Sequence, residues 1–271
     1  MKRRLVGMFM VGMMVTGMVT GCGNEAEITD TQVPEAASVV QTEGSEVVES
    51  DTADRVEVPQ TETPAENFKT KILEDGTIEI DSYDGDYEAI VIPAQIGGRD
   101  VTVIGGFANE DEITSVVIPD TVREIADNAF DGEFEEIVLP NTLKVIEENA
   151  FASVPLKVLS IPNQVEEIGS GAFLSADIEN LTIPGNVKIV GKEAFYYCNR
   201  LENVVIEEGV EIIEDLVFEN CESLKTITIP STVTEIGEHT FNGCPNVTII
   251  AEPGSAAEKL ANTRKIPVQN P

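Results

Sequence analysis

The stretch LKTITIPSTVTEIGEHTFNGCPNV, residues Leu224 to Val247, carries the grammar of most of the chain. Slid backwards, it becomes L-x-x-I-x-I-P-x-x-V-x-x-I-G-x-x-(A/T)-F-x-x-C-x-x-L. Its prolines fall at Pro93, Pro119, Pro140, Pro162, Pro184 and Pro230, with Glu207 in the one substituted slot. Its phenylalanines fall at Phe107, Phe130, Phe151, Phe173, Phe195, Phe218 and Phe241, spaced by 21 to 23 residues. A fixed period in this range predicts a solenoid, in which each coil buries its apolar face against its neighbours alone.

Each motif position has a packing role. In Leu201-x-x-Val204-x-Ile206, residues 204 and 206 share a face because strand side chains alternate, so both are assigned to the core. Stacked coils then form a parallel sheet. Its outward column reads Val91, Val117, Val138, Ser160, Thr182, Val205, Thr228 and Ala251. The flanking column reads Ala89, Ser115, Glu136, Val158, Asn180, Asn203, Thr226 and Ile249. Both columns are mostly uncharged. Proline, lacking an N–H, ends the strand. Pairs such as Val187/Val190 and Val233/Ile236 predict a second short strand on the opposite wall. A small residue and Phe follow, on an expected helical or 3₁₀ turn, and the Phe rings are expected to stack as a spine.

The ends are atypical, as terminal repeats are. Phe68 to Ile80 reads as two strands joined by an Asp75-Gly76 turn, so residues 68–92 are assigned to an amino-terminal cap and order is expected to begin at Phe68. Residues 93–252 are the repeats. Ser255 and Glu258 have the spacing of a capping box, which predicts a helix over roughly 256–263 within a carboxyl-terminal cap and tail, 253–271.

The amino terminus carries a different message. Lys2, Arg3 and Arg4 precede an uncharged run from Leu5 to Gly21, the layout of a secretory signal. The run ends in Val19-Thr20-Gly21-Cys22, which resembles the bacterial lipobox. That resemblance implies cleavage after residue 21, a diacylglyceryl group on Cys22, and attachment of the mature chain to a bacterial membrane, facing outward. An ordinary signal peptide containing a cysteine is the plainer alternative. Residues 23–67 hold 12 acidic residues, one basic residue and no aromatic. Such a composition cannot offset chain entropy by burial, so residues 22–67 are expected to be a disordered acidic tether. As a flexible coil it spans roughly 35–40 Å.

The repeat pattern resembles the BspA-type leucine-rich repeat family of bacterial surface proteins, over residues 68 to 268. The resemblance implies a mainly β fold: a right-handed leucine-rich-repeat solenoid of 21–26-residue coils with a parallel sheet, short helical or 3₁₀ turns, a β-hairpin cap and a helical cap. It also implies adhesion or protein–protein contact as the function. The chain departs from the pattern where the first four coils lack Cys, where Glu207 replaces Pro, and at Leu216-Val217.

Composition narrows the function further. There are 49 acidic residues against 17 basic, a formal charge of −32, which disfavours nucleic acid as a partner. No catalytic constellation, phosphate loop or calcium loop is present in the sequence, so an enzyme is not expected, and neither is a cofactor or a metal site. Cys198, Cys221 and Cys244 recur at one repeat position, 23 residues apart, and are read as buried free thiols, with a single disulfide as the alternative. His239, the single histidine, is placed on an outward turn. The candidate interaction surface consists of Tyr196 and Tyr197, which fill a turn slot held by small or polar residues in other coils, together with Thr182, Val205, Thr228, Asn180, Asn203 and Thr226. The expected function is a lipid-anchored surface module binding an unidentified protein, of a host or of its own envelope. A scaffold for envelope assembly is the alternative.

Overall fold

The computed structural model describes residues 61–108, 113–134 and 136–271. The lipobox residues Val19, Thr20 and Gly21, the lipidation candidate Cys22, and the tether to residue 60 lie outside the described residues. The rest is a parallel β-solenoid of about eight turns with one short helix near its carboxyl end.

Each coil has two walls. The second wall is the longer sheet. Its order runs from Phe68–Ile72 and Ile78–Tyr83 through Arg99–Ile104, Glu124–Ile125, Val145–Ile146, Glu167–Ile168, Ile189–Val190 and Ile212–Ile213 to Glu235–Ile236. From Arg99–Ile104 onward every pairing is parallel and in register, so Ile104, Ile125, Ile146, Ile168, Val190, Ile213 and Ile236 form one column. The proline that precedes each of these strands acts as a turn starter. The carbonyls of Pro119, Pro140, Pro162, Pro184 and Pro230 each accept from the N–H three residues on, at 3.0–3.2 Å. At Glu207 the same bond stretches to 3.5 Å.

Between the walls runs the spine. Successive Phe rings from Phe107 to Phe241 lie 4.9–6.1 Å apart, and from Phe130 onward they are within 16° of parallel. Tyr83 and Phe68 of the amino-terminal hairpin extend the stack by two rings. From Phe107 to Phe218, each Phe N–H donates to the carbonyl of the residue before the next Phe, as from Phe151 to Ala172 at 2.8 Å, and Val217 and Thr240 accept in the same way where other coils have Ala. The Phe turns close through i→i+3 bonds, such as Ala152 to Asn149, but they do not propagate into helix. From Phe130 to Phe218, left-handed residues such as Asn149 and Ser153 flank the Phe on both sides and stop the helical run. The glycine of the I-G motif serves close approach: a Cβ on Gly191 would sit 2.6 Å from the carbonyl carbon of Gly169 in the preceding coil.

The first wall is interrupted. Ala89–Val91, Ser115–Val117 and Glu136–Val138 form one parallel sheet; Asn180–Ile183, Asn203–Ile206, Thr226–Thr228, Thr248–Ile250 and Val268–Gln269 form another. The coil between them contributes one isolated bridge, Glu136 to Val158. Loop length does not account for the gap, because the interval from Phe to the proline slot is eleven residues both at Phe151–Pro162 and at Phe173–Pro184, and the latter carries a paired strand. The interrupted coil instead holds Pro155, which has no N–H to donate, inside a tight turn in which the Leu156 N–H donates to the Val154 carbonyl at 2.8 Å.

Two expectations are corrected. In the last coil Thr226 and Thr228 pair with Thr248 and Ile250, not with Ile249 and Ala251, which are buried. The last strand pairs one residue earlier in its coil, leaving two residues rather than one between Ile250 and Pro253, and a one-residue slip exchanges the faces. Regular structure also starts before Phe68: Thr63 is buried, donates its N–H to the Val91 carbonyl at 2.9 Å, and accepts the Val91 N–H at 3.1 Å.

The helix spans Ala256–Arg264. Ser255 Oγ caps it by accepting the Glu258 N–H at 3.1 Å, and Glu258 reaches back to the N–H of Gly254 rather than that of Ser255. Cys198, Cys221 and Cys244 are free and buried, and each thiol donates to the Phe carbonyl of the preceding coil, Phe173, Phe195 and Phe218 respectively, at 3.0–3.4 Å.

Candidate functional site: the outward face and the tyrosine turn

The candidate residues fall into two groups. The first lies on the outward face of the five-stranded sheet. Asn203 Nδ2 donates to Asn180 Oδ1 at 3.0 Å, and Thr226 Oγ1 donates to Asn203 Oδ1 at 2.9 Å. Parallel in-register pairing places these three residues on adjacent rungs, where side chains of short reach can link. The result is a neutral polar ladder that runs perpendicular to the strands. Beside it stand Thr182, Val205 and Thr228, of which Thr182 and Val205 are exposed. Val205 is 45% exposed, high for a valine in a sheet interior, so its isopropyl group is available to a partner.

Where the first wall breaks, the face is dented. A depression of about 360 Å³ is lined by Leu159, Ser160, Asn163, Asn180, Thr182 and Val205, among others. Leu159 and Asn163 were not among the sequence candidates, whereas Ser160 belongs to the outward column. Spacing does not mark them, since the eleven-residue interval from Phe151 to Pro162 recurs from Phe173 to Pro184, where the strand forms.

The second group is Tyr196 and Tyr197, on the Phe turn. Their rings meet edge to face, with centroids 4.6 Å apart and planes at 80°. Tyr197 has φ 59°, and the equivalent residues Gly132, Ser153, Ser175, Asn220 and Gly243 are all in positive φ. The turn imposes this conformation on whatever residue occupies it. For a side chain without local hydrogen bonding the left-handed region costs about 1–2 kcal/mol, so tyrosine is an expensive choice where other coils use Gly, Ser or Asn. It is not repaid by core burial, since Tyr197 is 43% exposed. Half-burial, then the Tyr197 phenol and the Glu219 carboxylate, push the Tyr196 phenol above the usual tyrosine range.

His239 is not isolated on its turn. Its N–H and ring Nδ1 both meet the Asp215 carboxylate, at 2.8 and 2.9 Å. Partial burial raises the Asp215 carboxyl, but these contacts hold it, on balance, below the ordinary aspartate value. A further cleft of about 520 Å³ lies where the helix covers only part of the last coil, among Phe241, Cys244, Leu260 and Ile266. It follows from incomplete capping of the spine.

This architecture has known relatives. The family model for the BspA type leucine rich repeat region matches residues 104–188 and 131–248, in six copies. The chain belongs to the BspA-type leucine-rich repeat family. A leucine-rich repeat protein of T. pallidum superposes with a TM-score of 0.64 at 28% identity, over 78% of this chain and 98% of the other. A leucine-rich repeat protein from Bacteroides ovatus gives 0.50 at 24% identity, over 75% and 66%. No curated protein matches the chain.

Proposed function

We propose that this BspA-type repeat chain is a lipid-anchored binding module, tethered outside a bacterial membrane through Cys22 and engaging a protein partner without catalysis or cofactor. The observation that carries the reading is the outward face. On a chain with formal charge −32, the rungs at 180–182, 203–205 and 226–228 present Asn, Thr and Val with no charge among them. Protein interfaces are depleted of charge at their centre, and a flat neutral patch can be desolvated without stripping water from carboxylates. The ladder holds its own polar groups in place, so little side-chain freedom is lost when a partner covers it.

Capture experiments with the full chain test the reading. Proteins retained by the wild type should be lost with Val205→Glu combined with Thr228→Glu, while the melting temperature holds. Equal capture by both chains would move the binding surface elsewhere. Retention of envelope proteins of the same cell, rather than host proteins, would favour the assembly role. For the anchor, Cys22→Ala should abolish diacylglyceryl attachment, and globomycin should block removal of the leader. A Cys22→Ala chain that still carries lipid by mass spectrometry would refute the anchor.

A further inference from the structure

We propose that Tyr196, Tyr197 and Glu219 form a platform for a cationic side chain, arginine above all, presented by the partner protein. This rests on the protein-binding reading above and adds a second contact point and its chemistry.

The first support is the backbone. Tyr197 occupies a positive-φ slot that five equivalent positions fill with Gly, Ser or Asn. A bulky residue held in an unfavourable conformation, and left exposed, points to a use outside the core. The second is rigidity. The Tyr196 carbonyl accepts the Ser175 N–H at 2.7 Å, and the Tyr197 N–H donates to the Glu219 carbonyl at 3.0 Å. The backbone of both residues is therefore tied to the coils on either side, and the rings meet edge to face above it.

The third support is charge. Around the turn, carboxylates already have cations: Lys192 pairs with Glu193 and Arg200 with Glu179. Glu219 forms no ion pair among the described residues, although its charge acts on the Tyr196 phenol. Two phenol rings beside an unpaired carboxylate attract a cation by ring quadrupole and by charge together. A guanidinium suits this better than an ammonium, because it stacks on a ring while its fork engages a carboxylate. The net charge of −32 draws cationic partners towards the chain at long range.

The chain has four tyrosines and no tryptophan, so ring-labelled tyrosine yields a spectrum simple enough to follow site by site. The full chain at physiological salt is titrated with the peptide acetyl-Gly-Arg-Gly-Arg-Gly-amide and with the same peptide carrying neutral citrulline for arginine. The arginine peptide should shift the Tyr196 and Tyr197 ring signals and leave the stacked Tyr83 unmoved. The citrulline peptide should bind at least ~5-fold more weakly, the loss expected when a cation–π contact is removed. Tyr196→Ser with Tyr197→Ser should reduce arginine-peptide affinity by roughly 5- to 30-fold, consistent with two ring contacts. Glu219→Gln should reduce it several-fold.

Serine already fills the Tyr197 slot in two coils, so the variant should fold; Tyr197→Gly is the second variant should it not. The proposal is overturned if the citrulline peptide binds equally, if the tyrosine variants keep wild-type affinity, or if neutral oligosaccharide shifts the two rings and arginine does not. Because the probe is a peptide and the signal is from Tyr196 and Tyr197, this test can fail while the Val205 and Thr228 capture test succeeds, and the reverse.

Discussion

The coils after Ala176 and the coils before it share one spine and one second wall, yet differ on the first wall. After Ala176 the strands at Asn180, Asn203, Thr226 and Thr248 stack without a gap and carry the Asn–Thr ladder. Before it the sheet is three-stranded, and the coil at Val158 keeps one bridge. The difference shows that continuity of the solenoid resides in the Phe stack and the second wall. Those two columns tolerate coils of 21 to 23 residues, because the length change is absorbed in the segment between Phe and the next proline. The first wall lies in that segment, but its break does not follow length alone: Asn180–Ile183 pairs fully after an interval as short as the one around Val158.

If that account is right, the largest effect comes from the shared spine. Phe173→Ala, in a ring flanked on both sides at 5.2 and 5.3 Å, should cost about 3–5 kcal/mol, and Phe241→Ala, at the open end, should cost less. Thermal or denaturant melts of the two variants decide this; equal losses would show that the stack does not act through its neighbours.

Next in size is the close approach of coils on the second wall. Gly191→Ala places a Cβ within 2.8 Å of three backbone atoms of the preceding coil and should cost about 1–3 kcal/mol. A neutral outcome in the same melts would mean that the coils can separate there.

The ladder offers a smaller and more local contrast. Asn203→Ala removes both side-chain hydrogen bonds of the central rung and should cost about 1 kcal/mol, whereas Glu136→Ala, the equivalent outward position before the break, should change stability little. Comparable losses at both sites would erase the distinction between the two halves.

Smallest is the response to pH, and it has opposite signs in the two regions. Burial, then Glu167, Glu124 and Asp127, raise the Glu147 carboxyl above its ordinary value of 4.5. The folded chain therefore holds that proton more tightly than the unfolded chain. Its stabilising contribution is complete below about 4.5 and is lost as pH rises through the folded value. Asp215, held below 3.8 by His239, contributes stability that is present above 3.8 and is lost as pH falls through its folded value. Melting temperature should thus rise as pH falls from neutrality towards 4.5, and Glu147→Gln should flatten that rise. An unchanged slope in Glu147→Gln would assign the effect to the general acidity of the chain.

Most of the scaffold was legible because each motif residue answers a local constraint. Proline cannot donate, a strand alternates, a Phe of fixed period must stack, and Ser255 with Glu258 must cap a helix. The amino-terminal extension of the spine was legible in principle: Tyr83 stands 24 residues before Phe107, close to the repeat period, and follows the small Ser82, but its coil lacks the I-P. Among the site residues, the uncharged columns could be read from alternation alone. Leu159 and Asn163 could not, because they matter only where two sheets fail to meet.

By itself, then, the sequence determined the period, the two walls, the spine, the buried thiols and the closing helix, since these depend on residue type and spacing within one coil. Tertiary structure decided what depends on the relation between coils. It broke the first wall between residues 138 and 180, moved the last outward column to Thr248 and Ile250, linked Asn180, Asn203 and Thr226, and joined His239 to Asp215. The physical reason is that these features depend on pairing between coils, which no single coil's residues specify, and a slip of one residue exchanges the faces of a strand.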